Sequence, residues 1–143
     1  MSNSRTEMAG YSGTPLAKKL GIRPGMKAAV VNPPWPYAER LGIDAAPDHI
    51  GADAALPGGL DFLHIFTPFR EELHGRLAEA RNRIAPDGMI WVSWPKKASK
   101  LYSEVTEDTV REICLPMGLV DIKVCAVDEV WSGLKLVIRK ELR

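Results

Sequence analysis

Lys27-Ala-Ala-Val-Val31 is a short run that is apolar after its first residue, the pattern of a β-strand covered on both faces. Asn32-Pro33-Pro34-Trp35-Pro36 stops it, because three prolines cannot join a hydrogen-bonded ladder. A strand hidden on both sides needs a layer above and a layer below. Leu60–Phe66 reads as a second strand and Met89–Trp94 as a third. Between them Leu73, Leu77, Ala80 and Ile84 fall at helical spacing, with Arg70, Glu71, Glu72, Arg76, Glu79 and Arg81 over the rest of the helix. Thr67 can cap that helix, Pro68 can open it, and Pro86-Asp87-Gly88 is a sharp turn after it.

The ends follow the same logic. Thr14 and Pro15 predict the start of a short helix carrying Leu16 and Leu20, with Gly21 closing it and Ile22 docking behind. Tyr37 to Leu41 reads as one helical turn. Residues 42–60 are rich in Gly, Ala, Asp and Pro, and a weak helix is expected from Asp48 to Leu56. Thr106-Glu107-Asp108 starts another helix, with Val110, Ile113, Cys114 and Met117 as its apolar stripe and Pro116 and Gly118 at its end. Leu119–Val127 and Leu134–Arg139 are strand-like, and Ser132-Gly133 is expected in the turn between them.

Strands separated by helices imply crossovers and a parallel sheet. The expected fold is α/β: a small Rossmann-like three-layer sandwich, whose mostly parallel sheet of about five strands ends in an antiparallel hairpin. Residues 1–10 are expected to be a flexible tail and residues 11–143 a single domain. At 143 residues the chain can bury a core without staples. A net charge of +1 announces neither nucleic acid nor membrane, so any basic patch must be local. Cys114 and Cys125 have no metal or redox spacing and read as free thiols. The first eight residues have no apolar signal core, and no run is long enough for a membrane span; a cytoplasmic protein is expected.

Few residues offer chemistry. Asn32-Pro33-Pro34-Trp35 resembles the Asn-Pro-Pro-aromatic motif of amino-group methyltransferases. That likeness implies an Asn and a backbone carbonyl accepting from the target amine, with the ring stacked on the target base. S-adenosylmethionine would also need a glycine-rich turn after a strand, and no such arrangement follows any predicted strand. His64 lies in an apolar strand and reads as a core residue with satisfied ring nitrogens. His49 and His74 have no companions at metal spacing. Asp128-Glu129 could be a carboxylate pair for acid–base work, but adjacent strand residues point to opposite faces, and a charge pair at the end of a hairpin is the favoured reading. No catalytic residue, metal or cofactor is expected from these patterns.

A parallel sheet binds ligands outside the carboxyl ends of its strands. Asn32 to Trp35, Thr67 to Arg70 and Trp94 to Lys100 leave those ends. Glu129 to Gly133 joins them if the fourth strand is parallel too. The expected ligand-binding residues are therefore Trp94, Lys96, Lys97, Trp131, Asn32 and Trp35. Tryptophan beside lysine suits an anionic small molecule or a protein partner.

The helix, Pro-Asp-Gly turn, later helix and closing hairpin resemble the C-terminal half of class I methyltransferases in layout. Tyr11-Ser-Gly-Thr-Pro-Leu-x-Lys-Lys-Leu-Gly21, Trp91-Val-Ser-Trp-Pro-Lys-Lys97 and Trp131-Ser-Gly-Leu-Lys135 look like bacterial proteins of Domain of Unknown Function 3052, over roughly residues 10 to 142. The resemblance implies a cytoplasmic bacterial protein with a Rossmann-like fold and carries no catalytic residues with it. The reading that results is a non-catalytic domain binding an anionic small molecule or a protein at the rim. The alternative is a truncated S-adenosylmethionine-dependent methyltransferase using Asn32 and Trp35. Nucleic-acid binding through Lys18, Lys96, Lys97 and Lys100 is a third reading, against which the near-neutral charge counts.

Overall fold

A computed structural model describes residues 15–44 and 47–143. The expected tail and the Tyr11–Thr14 part of the first motif lie outside them. The elements are α1 (Leu16–Leu20), β1 (Ala28–Val31), α2 (Tyr37–Leu41), β2 (Asp48–Ile50), β3 (Leu60–Phe66), α3 (Arg70–Arg81), β4 (Ile84–Pro95), α4 (Glu107–Cys114), β5 (Leu119–Ala126) and β6 (Trp131–Ile138). They form one six-stranded mixed sheet in the order β2-β1-β3-β4-β6-β5. β2, β1, β3 and β4 are mutually parallel. β6 runs antiparallel to both β4 and β5, so β5 points the same way as β4.

Alternation along the strands divides the core in two. Ala29, Val31, Leu63, Ile65, Ile90, Val92 and Trp94 face α3 and α4, packing on Leu73, Leu77, Ala80, Val110 and Ile113. Ala28, Val30, Phe62, Phe66 and Trp91 face α1 and α2, packing on Leu20, Tyr37 and Leu41. The three-layer α/β class is thus as the sequence implies. Gly21 and Gly118 close their segments in the left-handed region at φ 82° and 85°. Thr106 caps α4 reciprocally with Thr109. Cys114 is buried and Cys125 half-buried, both free. No described helix is long and apolar enough to cross a membrane.

Several local expectations are corrected. Among the described residues there are six strands, because Asp48–Ile50 is a strand and not a helix. Its backbone pairs with Ala29–Val31 as the parallel edge of the sheet, and only three residues with two polar side chains commit to it. Pro86-Asp87-Gly88 does not end anything; it bulges out of the longer β4 between Ile84 and Met89. α3 begins at Arg70, not Pro68. Thr67 turns the chain before it, its Oγ1 accepting from the Phe69 N–H at 3.0 Å. The helix-terminal Arg70 N–H is instead met by Glu104 at 2.9 Å. Arg76, read as surface, is buried on the stripe with Leu73 and Leu77.

The hairpin differs most. Its turn lies before Trp131, and Ser132-Gly133 sits inside β6. Gly133 pairs with Ser93 on one side and Cys125 on the other. A Cβ there would lie 3.2 Å from the Trp91 ring and 3.1 Å from Val127. The glycine therefore serves the close passage of a fully buried indole, whose N–H is anchored on the Leu20 carbonyl at 2.7 Å. Moreover, β6 is not at the margin: it lies between β4 and β5, and β5 is the edge.

A pair of glycine substitutions tests this packing. Gly133→Ala should destabilise the protein by about 1–3 kcal/mol, because the anchored Trp91 cannot retreat. Gly75→Ala, in α3 with open space where a Cβ would stand, should stabilise by up to about 1 kcal/mol. Urea midpoints of the two variants should move in opposite directions.

Candidate functional site

The chain leaves β1 toward β2 on one side and returns to β3 on the other, so the crevice between the carboxyl ends of β1 and β3 is the switch point of the sheet. That crevice is where open α/β sheets take ligands. Here the protein's own side chains bridge it. Asn32, in the left-handed region at φ 55°, sends its Nδ2 to the Phe66 carbonyl and to Glu72 Oε2, each at 3.3 Å. Thr67 Oγ1 donates to the other oxygen of Glu72 at 2.5 Å.

Trp35 continues the closure on the α2 side. Its ring stands edge-on to Phe66 (centroids 5.6 Å) and stacks on Tyr37 (5.9 Å). Its indole N–H donates to Asp128 Oδ2 at 3.0 Å. Arg40 lies 4.9 Å over the same ring and 3.5 Å from the same oxygen. Asp128 is 8% exposed. Its other oxygen accepts the Val130 and Trp131 N–H groups at 2.8 and 2.7 Å. One carboxylate thus turns the β5–β6 hairpin and fastens it to the loop after β1. Trp131 leans edge-on against Phe66 from that hairpin, at 5.3 Å.

His64 lies beneath this layer, fully buried and stacked on Phe66 at 4.1 Å. Its Nδ1 meets the Tyr37 hydroxyl at 2.6 Å and its Nε2 meets Ser93 Oγ at 2.8 Å. Burial holds the imidazole pKa at about 3 and pushes the Tyr37 phenol well above its usual value. A neutral ring has one donor and one acceptor nitrogen, so one hydroxyl donates to it and the other accepts. Both ring nitrogens are satisfied, and no solvent reaches them; the group ties three elements together.

The basic loop leaves β4 beside the hairpin, where the Lys96 N–H donates to the Val130 carbonyl at 2.7 Å. A 3-10 turn over Lys97–Ser99 follows, and Lys100 takes φ 63°. Among the described residues no carboxylate forms an ion pair with Lys96, Lys97 or Lys100. The hairpin turn does join the same rim, since β5 is parallel to β4. Trp94, however, is only 7% exposed and packs in the α3/α4 core with Val92 and Val105. Strand parity separates it from Trp131, which pairs with Pro95 and faces the other way. Trp35 and Trp131 share Phe66; Trp94 supports the loop from below.

Asp128 and Glu72, both outside the expected set, hold the site, and Arg76 holds the crossover beside it. Asp128 had a signal, an Asp three residues ahead of a hairpin strand, placed as an Asx turn requires to accept the N–H groups two and three residues on. Arg76 shares the helical stripe with Leu73, Leu77 and Ala80. Its guanidinium donates to the carbonyls of Gly51 (2.7 Å), Ala52 (3.1 Å) and Ala54 (2.8 Å) and to Glu79 (3.1 Å). It latches the β2–β3 crossover to α3, forming the wall of an open groove of about 430 Å³ that Glu72, Gly75 and Asp53 also line. Among the described residues no His, Cys, Asp and Glu side chains group as a metal would need.

A family model described as a protein of unknown function (DUF3052) matches residues 65–140, more than half of the chain. The chain belongs to that family. The DUF3052 match spans two of the three motifs, Trp91–Lys97 and Trp131–Lys135, together with Phe66, Glu72 and Asp128. A protein named uroporphyrinogen decarboxylase, from Myxococcus xanthus, is 35% identical over 79 residues; these are 55% of this chain and 21% of that one. The chain thus spans about a fifth of that relative's length. Among solved structures, a protein assigned to the type 11 methyltransferases from Sulfolobus solfataricus superposes with TM-score 0.63 at 13% identity, covering 87% of this chain and 90% of that one. An S-adenosylmethionine-dependent methyltransferase from Aquifex aeolicus gives 0.56 at 17% identity, covering 86% and 87%. A TehB-like methyltransferase from Corynebacterium glutamicum gives 0.55 at 10%, covering 93% and 92%. These likenesses establish a methyltransferase-like fold for this DUF3052 chain.

Two measurements check the site. His64 has a folded pKa of about 3 against an ordinary 6.5. Its contribution to stability is therefore complete above pH about 6.5 and is lost as pH falls toward about 3. Urea midpoints should decline across that window in the native chain, and the decline should be much shallower in His64→Gln, which is less stable at neutral pH. Asp128→Ala strips an acceptor from three N–H groups and should cost about 2–4 kcal/mol. Its tryptophan emission should shift to the red as Trp35 comes free.

Proposed function

We propose that this chain is a non-catalytic domain that holds an anionic small molecule or an acidic protein segment at the carboxyl-end rim of its sheet. Lys96 and Lys97 supply the charge and Trp131 an aromatic wall, with Asn32 and Trp35 as the neighbouring border. One observation carries the reading. The crevice where this fold class seats its ligand is spanned by Asn32, Glu72, Trp35 and Asp128 bonded among themselves and to the backbone. The unpaired lysines stand on the adjoining strand end. The loop after β1 also contains Pro33, Pro34 and Pro36. Prolines bring no N–H with which to cradle an anion, so the loop suits a plug better than a phosphate seat. Trp94 has a supporting role in this reading.

A second reading, an S-adenosylmethionine-dependent methyltransferase using Asn32 and Trp35, is favoured by the methyltransferases among the structural neighbours with TM-scores above 0.5. Fold alone does not carry activity, which lives in the site.

Thermal melting with inorganic phosphate, citrate and a tetrapyrrole carboxylate tests the first reading; the name of the Myxococcus xanthus relative suggests the last probe. An anion bound at a hundredfold excess over Kd should raise Tm by about 5–10 °C. The shift should vanish in Lys96→Glu combined with Lys97→Glu, while the unliganded Tm stays put. An undiminished shift in that variant would sink the anion site. Calorimetry with S-adenosylmethionine addresses the alternative: heat that Asn32→Ala abolishes establishes it, and no heat at millimolar ligand removes it.

A further inference from the structure

Phe69, Leu101 and Tyr102 are 48%, 55% and 65% exposed and cluster on one side of the rim. The Phe69 and Tyr102 rings lie 6.2 Å apart. Large apolar side chains are usual on surfaces when scattered, but a group of three framed by charge marks a contact site. Lys97 and Lys100 frame it on the same loop, and Arg70 frames it on α3. The two nearby carboxylates are both engaged. Glu104 accepts from the Tyr102 hydroxyl at 2.5 Å and from the Arg70 N–H at 2.9 Å. Glu112 pairs with the Arg70 guanidinium at 3.1 Å. Arg70 and Glu112 cancel, and Glu104 keeps its charge because its donors are neutral; set against it, Lys97 and Lys100 leave a small excess of positive charge beside the apolar surface.

The loop that carries it is also fixed beforehand. The Glu104 N–H donates to the Pro68 carbonyl at 2.7 Å, clamping the loop to the start of α3. Ser99 Oγ donates to the Lys96 carbonyl at 2.7 Å and accepts from the Leu101 N–H at 3.2 Å. Because Tyr102 has its hydrogen bond inside the loop, it offers its ring rather than its hydroxyl to a partner. A surface already ordered loses less entropy on binding. Ile122 and Val124 are comparably exposed but sit on the edge strand β5 next to a bulge and Lys123, features that discourage pairing.

We infer that Phe69, Leu101 and Tyr102, framed by Lys97 and Lys100, form a docking surface for a short acidic segment of a partner protein that inserts an apolar anchor. Charge complementarity selects the acidic flanks, and the aromatic pair selects the anchor. A single-stranded nucleic acid would bring the same charge. The chain's net charge of +1 and the exposed apolar Leu101 next to Tyr102 favour the peptide. This inference rests on the rim-binding reading above and names the partner's chemistry.

The test uses a displayed random peptide library against the full chain, followed by anisotropy with the enriched peptides and with single-stranded DNA. Enriched sequences should combine Asp or Glu with Leu or an aromatic residue. Phe69→Ala combined with Tyr102→Ala should weaken them by at least about tenfold. Tyr102→Phe, which keeps the ring, should bind within about twofold of the native chain. Circular dichroism should show the fold intact, since both side chains are surface groups. Binding lost in the Lys96→Glu, Lys97→Glu variant yet retained without the aromatics overturns the docking surface and leaves the rim reading standing. Binding indifferent to both variants overturns both. Acid-free enriched sequences, or DNA bound as tightly as the peptides, overturn the acidic-segment assignment.

Discussion

The Asp128 carboxylate joins two parts of the sheet that lie far apart in the chain. Three N–H groups and one guanidinium converge on it, from the hairpin that closes the sheet and from the loop and helix that follow its first strand. A buried carboxylate is tolerated only when its lone pairs are met, and here nearly every one is. The positions of Trp35, Trp131 and Arg40 all follow from that demand. Phe66 then becomes the shared floor of two indoles, and His64 its underside. Loss of the carboxylate would free both the hairpin and the switch-point loop, which otherwise share no backbone pairing.

Much of the architecture could be read from local pattern. The apolar run at Ala28–Val31, the Leu73–Leu77–Ala80 stripe, the Thr106 cap and the closing glycines at 21 and 118 each state their structure within a few residues. What failed depends on distant neighbours. Ser132-Gly133 carries the signature of a turn, and only the Trp91 ring, some forty residues earlier, makes it a strand site. Asp48–Ile50 has no strand pattern of its own; β1 offers it an edge. Arg76 looks like a surface charge until the crossover brings three carbonyls to it.

The rim was legible in outline and misjudged in detail. Direction of travel placed Asn32, Thr67, Lys96 and the hairpin turn at one margin, and they are there. Facing was the difficulty. Trp94 and Trp131 belong to neighbouring strands, but the pleat sends one into the α3/α4 core and leaves the other above α2. The aromatic surface that remains open at β4's end comes from Phe69 and Tyr102, residues with no motif to single them out. Glu104 ties the two segments together at the surface, accepting from the Tyr102 hydroxyl and from the Arg70 N–H next to Phe69.

The place of β6 has a consequence for how the chain reaches its fold. Strands β1 to β4 can pair as they emerge in order, but β4 then ends the partial sheet with its outer edge bare. β5, synthesised next, does not cover that edge; it lies one strand further out. Only residues 131–138 can, and they follow β5 in the sequence. A long, apolar strand holding Trp91 and Trp94 must therefore wait, unpaired on one side, until the C-terminal hairpin docks. Sheet closure is thus a long-range step, and a chain interrupted before Trp131 would present a sticky edge to its neighbours.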